Sequence, residues 1–161
     1  RTFHNHFETR EHLYRAISDM RTAEFAAIVE QAGHASGAFA DRLVGFFATM
    51  GTAFSARPAY RELVAAMLGL GMHPENPLSH SGAFGRAAQR FIEIARERGE
   101  IGSEHPTPVL ADLLLGAFLM AIVNWISSDV YDPETELPLA AHALLDVFQP
   151  RDVTSPAPAS S

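Results

Sequence analysis

The sequence contains no cysteine and no lysine, and it has only one tryptophan and three tyrosines among its 161 residues. Without cysteine, neither a disulfide bond nor a thiolate metal site is possible. The twelve basic residues are all arginines, and nineteen acidic residues give a formal net charge of -7. This balance argues against nucleic-acid binding by the chain as a whole, although it is compatible with a small basic tip on an acidic body.

Strand-like alternation of apolar and polar residues is also missing, and neither glycine nor proline occurs between Arg10 and Ala32. Because 47% of the residues are hydrophobic, the chain is long and apolar enough to bury one sizeable core. The absence of cysteine suits a cytoplasmic protein, and the first residues show no secretory signal pattern. The sequence therefore predicts an all-α globular domain.

The first long helix, from Arg10 to about Ala32, has an apolar stripe that changes direction. Its early apolar residues are Leu13, Ile17 and Met20. Its late ones are Phe25, Ile28, Val29 and Ala32, on a face turned by roughly a quarter to a third of a turn. A helix that buries two faces in succession touches two bodies, so we interpret it as a connecting helix. A slight kink near residues 19–23 is the alternative interpretation.

Further helices are predicted by apolar residues at spacings of three and four, with Gly and Pro at the breaks. Ser36 and Thr107 are the predicted caps of two of them, and Gly99 is a predicted C-terminal residue. The tail from 149 to 161 is rich in Pro, Ala and Ser and predicts no regular structure. The predicted helices are about 39–56, 58–68, 81–98, 108–127 and 136–148.

The last two predicted helices are more apolar than one small body requires. Residues 108–127 are apolar all round, interrupted only by Asp112, Gly116 and Asn124. Those interruptions argue against a membrane span, so the helix should be buried all round by protein. The surplus of apolar surface predicts a partner that covers it.

The opening residues carry the most specific pattern in the chain: Thr2, Phe3, His6 and Phe7, then Thr9, Arg10, Glu11 and Leu13. This pattern resembles the end of the DNA-binding domain in the TetR/AcrR family of bacterial transcriptional regulators. His4 stands where that family usually has Tyr, and Arg10 where it usually has Lys. The alternative is that these apolar positions are ordinary core residues of an unrelated helical protein, namely Phe3, Phe7, Leu13 and Ile17.

The resemblance implies a TetR-like helical bundle with an incomplete N-terminal helix-turn-helix. Residues 1–17 would be the end of the DNA-binding domain, 18–149 the ligand-binding and dimerisation domain, and 150–161 a tail. The implied function is a regulator, most simply a repressor, whose binding to operator DNA changes when a small, largely apolar effector binds inside the bundle. Because the family's preceding helices are not in the printed sequence, this chain alone should bind DNA poorly.

The resemblance also implies a homodimer through the last two helices, which places two recognition helices about 34 Å apart or a multiple of this. A cofactor is not implied. The implied interface residues are Leu115, Leu119, Ile122, Ile126, Ala140, Leu144, Val147 and Phe148.

Candidate DNA contacts lie at the start of the chain. Arg1 and Arg10 can neutralise phosphates, and Thr2, His4 and Asn5 can hydrogen-bond to phosphates or base edges. His6 is also a candidate, although packing or capping is the simpler interpretation of that side chain.

Candidate ligand contacts are aromatic and Met side chains, which form adaptable apolar walls, with a few polar groups among them. Thr49 is a further polar candidate, and the plainer interpretation of each residue is simple core packing. The candidates are Phe46, Met50, Phe54, Tyr60, Met67, Phe84, Phe91, Phe118, Asn124 and Trp125.

Other functions have weaker support in the sequence. The eight histidines show no metal-ligand spacing, and there is no nucleophile elbow, phosphate loop or pair of acids on an inner face, so we expect neither a metal site nor an enzyme. A helical ligand-binding or dimerisation module without a DNA role is the more serious alternative, and the first seven residues are what separate it from a regulator.

Overall fold

The computed structural model describes residues 10–56, 61–62, 64–65 and 82–148, without the side chains of residues 10–15 and 18. This part of the chain is helical and contains no strand, which confirms the predicted all-α class. Residues 61, 62, 64 and 65 are helical as well. The helices with complete bounds are α1 (Arg10–His34), α2 (Phe39–Ser55), α3 (Ala83–Glu97), α4 (Thr107–Ser127) and α5 (Pro133–Phe148).

Two predicted boundaries are confirmed closely. Helix α1 begins at Arg10 and runs two residues beyond Ala32. Helix α3 ends before Gly99, whose φ of 68° suits glycine. The N–H of Gly99 donates to the carbonyl of Arg96 and that of Glu100 to the carbonyl of Ala95, both at 2.9 Å. This pairing closes the helix and turns the chain toward Glu100.

Three details of helix starts were predicted wrongly. The N-cap of α2 is Ala38 rather than Ser36, and it makes no side-chain cap bond. Thr107 lies inside α4 rather than capping it, and its hydroxyl accepts a hydrogen bond from Arg96 Nη1 at 2.6 Å. Helix α5 begins at Pro133 rather than near Glu136. Asp132 explains this earlier start, because its carboxylate accepts bonds from the Glu134 N–H at 3.2 Å and the Thr135 hydroxyl at 2.7 Å.

The helices pack in two closely matched pairs. Helices α1 and α3 run side by side in the same direction. A Cβ built on Gly33 would lie 3.3 Å from side-chain atoms of Phe91 and Ile94. Helices α2 and α5 are antiparallel, since Phe39 meets Phe148 at one end and Gly51 meets Pro133 at the other.

Arginine side chains connect the helices and loops at one end of the bundle, and we call this end, with Arg42, Arg98 and Glu100, the polar end. Arg42 is buried and donates to the carbonyl of Gly37 and to the carboxylate of Glu100, each at 2.6 Å. Arg98 donates to the carbonyl of Ala35 at 3.2 Å. These contacts tie the α1–α2 junction to the loop that follows α3.

Glu100 is the acid of the polar end. The hydrogen bond from Arg42 is the main cause that lowers the pKa of Glu100 from its ordinary value of 4.5, and a hydrogen bond with the Phe39 backbone acts in the same direction. Phe39 is the first residue of α2. Glu100, in the loop after α3, therefore lies beside the start of α2 and is held there by Arg42.

The described body packs mainly against the late face of α1. Val29 is buried, and Phe25, Ile28 and Ala32 pack partly buried against the core. On the early face, Ile17 is partly exposed and Met20 is half exposed. Of the early apolar residues, Met20 is thus the one that the described residues leave largely uncovered, and the side chain of Leu13 lies outside the description.

Helix α4 is, within the described residues, the one helix long and apolar enough to cross a membrane by length and composition. A core helix of a globular protein passes the same test. In this structure 44% of the most apolar window of α4 is buried against protein.

Candidate functional site

The aromatic side chains of the core meet around Phe118 of α4. Its ring centroid lies 5.3–6.4 Å from five other phenylalanine rings, contributed by α1, α2 and α3. Trp125 extends the group by stacking on Phe54 at 4.9 Å. We call these residues the ring cluster: Phe25, Phe46, Phe47, Phe54, Phe84, Phe118 and Trp125.

The structure brings together half of the predicted ligand residues in the ring cluster, namely Phe46, Phe54, Phe84, Phe118 and Trp125. Met50 is buried in the same core. Phe91 lies elsewhere, against Phe39 at 5.4 Å near the polar end. Tyr60 and Met67 lie outside the described residues.

The polar groups predicted to orient a ligand do not reach the ring cluster. Asn124 is exposed on α4. Thr49 is also exposed, and its hydroxyl donates to the carbonyl of Gly45 at 2.8 Å. Each of them therefore faces away from the aromatic interior.

A charged group that sequence reasoning missed lies beside the ring cluster. The guanidinium carbon of Arg61 is 5.7 Å from the centre of the Trp125 ring. Arg61 also pairs with the carboxylate of Asp129 and donates to the carbonyl of Ser128 at 3.3 Å. The available signal was an arginine directly after Tyr60 in a predicted helix, but nothing in the sequence placed it on Trp125.

A shallow groove of about 470 Å³ runs between α1 and α3. Its floor is made of alanines, and its charged rim residues include Arg90. Arg90 is engaged by Glu93 at 3.3 Å and Glu97 at 2.9 Å, which raises its pKa. The lining residues are Ala23, Ala26, Ala27, Glu30, Ala83, Arg86, Ala87 and Arg90.

Helices α4 and α5 each carry apolar residues on the side opposite their buried face, and we call these residues the outer stripe. The large α4 side chains are 38–57% exposed, and Gly116 lies among them with open space around its Cβ position. At about 100° per residue, the α4 members fall within an arc of about 80°. The members are Val109, Leu113, Gly116, Met120 and Val123 on α4, with Leu139, Ala143 and Val147 on α5.

The outer stripe differs from the predicted interface in most of its residues. Val147 is half exposed and belongs to both sets. Leu119, Ile126 and Ala140 are partly buried. The structure places the remaining four predicted residues, Leu115, Ile122, Leu144 and Phe148, in the core of a single chain.

The predicted DNA contacts Arg1, Thr2, His4, Asn5 and His6 lie outside the described residues. The backbone of Arg10 begins α1, but its side chain also lies outside them. Among the side chains that the structure does describe, no group of three or more His, Asp or Glu is placed to hold a metal ion.

Comparison with known proteins does not assign this chain to a family. No family model matches it, and neither a curated protein nor a solved structure matches it significantly.

Proposed function

We propose that this chain belongs to a TetR-like, cytoplasmic transcriptional regulator, most simply a repressor that binds operator DNA as a homodimer. The observation that carries the proposal is the continuity between the Thr2–Leu13 pattern and α1. The pattern leads directly into a single helix of 25 residues whose late face is packed against the body, while Met20 on its early face is half exposed. A helix that joins a DNA-binding head to a body needs both of these properties.

The outer stripe supports the homodimer. Its α4 members extend over about 21 Å, given a rise of 1.5 Å per residue from Val109 to Val123. Contiguous apolar surface that a monomer leaves exposed often marks a site of interaction with another protein. A second copy that presents the same rows would bury both sets in a four-helix arrangement.

The ring cluster supports the regulatory part. Phe25 is its α1 member, and its ring lies 6.2 Å from Phe54 and 6.4 Å from Phe118. A largely apolar effector that separated these rings would push on α1 directly. In a dimer, a shift of α1 changes the distance between the two DNA-binding heads, and an effector that prefers the shifted state weakens operator binding.

The test uses the complete translation product of the gene, with whatever residues precede Arg1. Selection from a random pool of duplex DNA should enrich an inverted repeat, and Arg10→Gln should weaken its binding and reduce the salt dependence by about one phosphate contact. The matched control is Arg90→Gln, on an exposed arginine of α3. If the product is folded and dimeric but the selection enriches no DNA sequence, the DNA-binding proposal is refuted.

The second candidate is a helical ligand-binding or dimerisation module without a DNA role. The outer stripe and the ring cluster favour it as much as they favour a regulator, since neither feature involves DNA. The same selection experiment separates the two, because a module of this kind would dimerise and enrich no duplex.

A further inference from the structure

The exposed apolar row of α4 has a glycine at its middle. Gly116 is the tenth of the 21 residues of α4. Two large apolar members of the outer stripe precede it, Val109 and Leu113, and two follow it, Met120 and Val123. All four of these side chains are exposed. The row therefore consists of two raised apolar pairs with a gap between them.

The contacts within the described residues do not require glycine at position 116. A Cβ on Gly116 would meet no atom within 4 Å outside the backbone of its own helix. Its φ is not in the left-handed region, and alanine is the better helix former. What glycine offers at an exposed helix position is room for a second backbone to approach closely.

Gly45 of α2 has the same freedom but different neighbours. Its Cβ position is also open, and both glycines are exposed. The exposed residues nearest to Gly45 on its helix face are Asp41 and Thr49, which are polar. Of the two glycines, only Gly116 lies within an apolar row, so the two form a matched pair for experiment.

The spacing of the row matches itself when one copy is turned end to end. Counted from Gly116, the large residues lie seven and three positions before it and four and seven positions after it. An antiparallel second α4 centred on Gly116 therefore brings Val109 opposite Val123. Leu113 then lies opposite Met120 to within one residue, or about 1.5 Å. In a two-fold symmetric interface residue i contacts j and j contacts i, which is the pairing that this row provides.

The charge beside the row favours the same direction. Asp112 is exposed next to the row, and residues 107–148 contain six acidic residues but no arginine or lysine that could offset them. A parallel second helix in register would place the two copies of Asp112 side by side. In the antiparallel arrangement they lie eight residues apart along the axis. This separation of about 12 Å exceeds the Debye length of about 8 Å at physiological ionic strength, so repulsion between them is largely screened.

We propose that a second copy of this chain crosses α4 in the antiparallel direction at Gly116, so that the two-fold axis of the homodimer passes beside this residue. The two helix backbones come closest at Gly116, and Leu113 of each copy packs against Met120 of the other. Alternating steps of four and three residues are those of a helix seam with a shallow crossing angle of about 20°. The inference rests on the proposed homodimer and specifies which residue lies on its axis.

A leucine at position 116 distinguishes a close crossing from general apolar contact. If the partner covers the row loosely or crosses it elsewhere, Gly116→Leu adds buried apolar area and tightens association. At a two-fold crossing, the two new side chains meet each other and hold the helices apart. Overpacking of this kind should weaken the dimer about tenfold or more in sedimentation equilibrium of the chain as printed.

Gly45→Leu is the matched control, because it makes the same change on an exposed polar face of α2 that the proposed interface does not include. It should leave the Kd of the dimer unchanged. Thermal melts followed by circular dichroism should show that both variants are folded.

Cysteine cross-linking tests the direction of the crossing. The chain contains no cysteine, so an engineered thiol is the only one in its variant. Leu113→Cys and Met120→Cys should form a disulfide-linked dimer when the two variants are mixed and oxidised, because these positions face each other. Leu113→Cys alone should not, since its two copies lie about 9 Å apart along the axis, beyond the Cα separation of about 7 Å that a disulfide spans.

The outcomes separate this inference from the proposed function. A wild type that stays monomeric would overturn both the crossing at Gly116 and the proposed homodimer. A dimer that Gly116→Leu leaves intact or tightens would overturn the crossing alone, and so would cross-linking of Leu113→Cys with itself. DNA plays no part in these measurements, so the DNA-binding proposal is tested independently of them.

Discussion

Two glycines of α2 should respond to the same substitution with opposite signs. Gly45 and Gly51 both lie inside this helix, where replacing glycine by alanine usually adds about 1 kcal/mol of stability. A Cβ at Gly45 meets nothing within 4 Å. A Cβ at Gly51 would lie 2.5 Å from the carbonyl oxygen of Pro133 and 3.1 Å from the Cα of Glu134.

The close contact at Gly51 involves backbone rather than a flexible side chain. Relief of the clash requires the start of α5 to move away from α2, and overpacking of this kind typically costs about 1–3 kcal/mol. After the helix-propensity gain is subtracted, Gly51→Ala should lower the free energy of unfolding by about 1 kcal/mol. Gly45→Ala should raise it by about 0.5–1 kcal/mol, because only the propensity gain applies.

Urea denaturation followed by circular dichroism measures both changes. The transition midpoints should move in opposite directions while the slopes stay alike, because each variant still exposes the same surface on unfolding. Gly45→Ala serves as the internal control, since it carries the same chemical change in the same helix. Stabilisation by both substitutions would show that α5 does not press on α2 as the structure indicates.

Three further substitutions test other features of the molecule. Glu100→Gln should lower the free energy of unfolding, measured by urea denaturation at neutral pH, by about 2 kcal/mol, because it leaves buried Arg42 without its counter-charge. This loss is smaller than that expected for a fully buried ion pair, since Glu100 is partly exposed. The pKa of Glu100 is lowered by folding, so its stabilisation is present above the unfolded value near 4.5 and is lost as the pH falls below it. The gap between wild type and Glu100→Gln in urea titrations should therefore narrow only below about pH 4.5, and a constant gap would contradict this reasoning. Phe118→Ala should lower the free energy of unfolding by about 3–5 kcal/mol in the same assay, and a loss below 1 kcal/mol would show that its rings are not packed as described. Met120→Asp should weaken the proposed dimer at least tenfold in sedimentation equilibrium, whereas Val130→Asp, on an exposed turn residue, should not; equal effects of the two would exclude the outer stripe from the interface.

Sequence periodicity was sufficient to predict the helices whose apolar residues all lie on one face. Helix α3 ends where Gly99 predicts, because a left-handed residue there is a local requirement. The start of α2 could not be predicted in the same way. Arg42 in its first turns pairs with Glu100, which lies 58 residues away along the chain.

The candidate site shows the same limit. Helix α4 is apolar on all sides, so composition could not distinguish Leu113, which faces outward, from Leu115, which faces the core. The aromatic interior was predictable because large rings are buried in most folds. The position of Arg61 was not, since its contacts with Ser128 and Asp129 span 67 and 68 residues.

The polar end fixes where the two termini of the described bundle emerge. Helix α1 finishes at this end and begins about 36 Å away, given 1.5 Å for each step from Arg10 to His34. Helix α5 finishes there too, since the Gly102 N–H donates to the carbonyl of Phe148 at 3.3 Å. A tether to a sensor chip attached directly after Phe148 would therefore hold the bundle by the end remote from Arg10, leaving the start of α1 open to molecules in the flow.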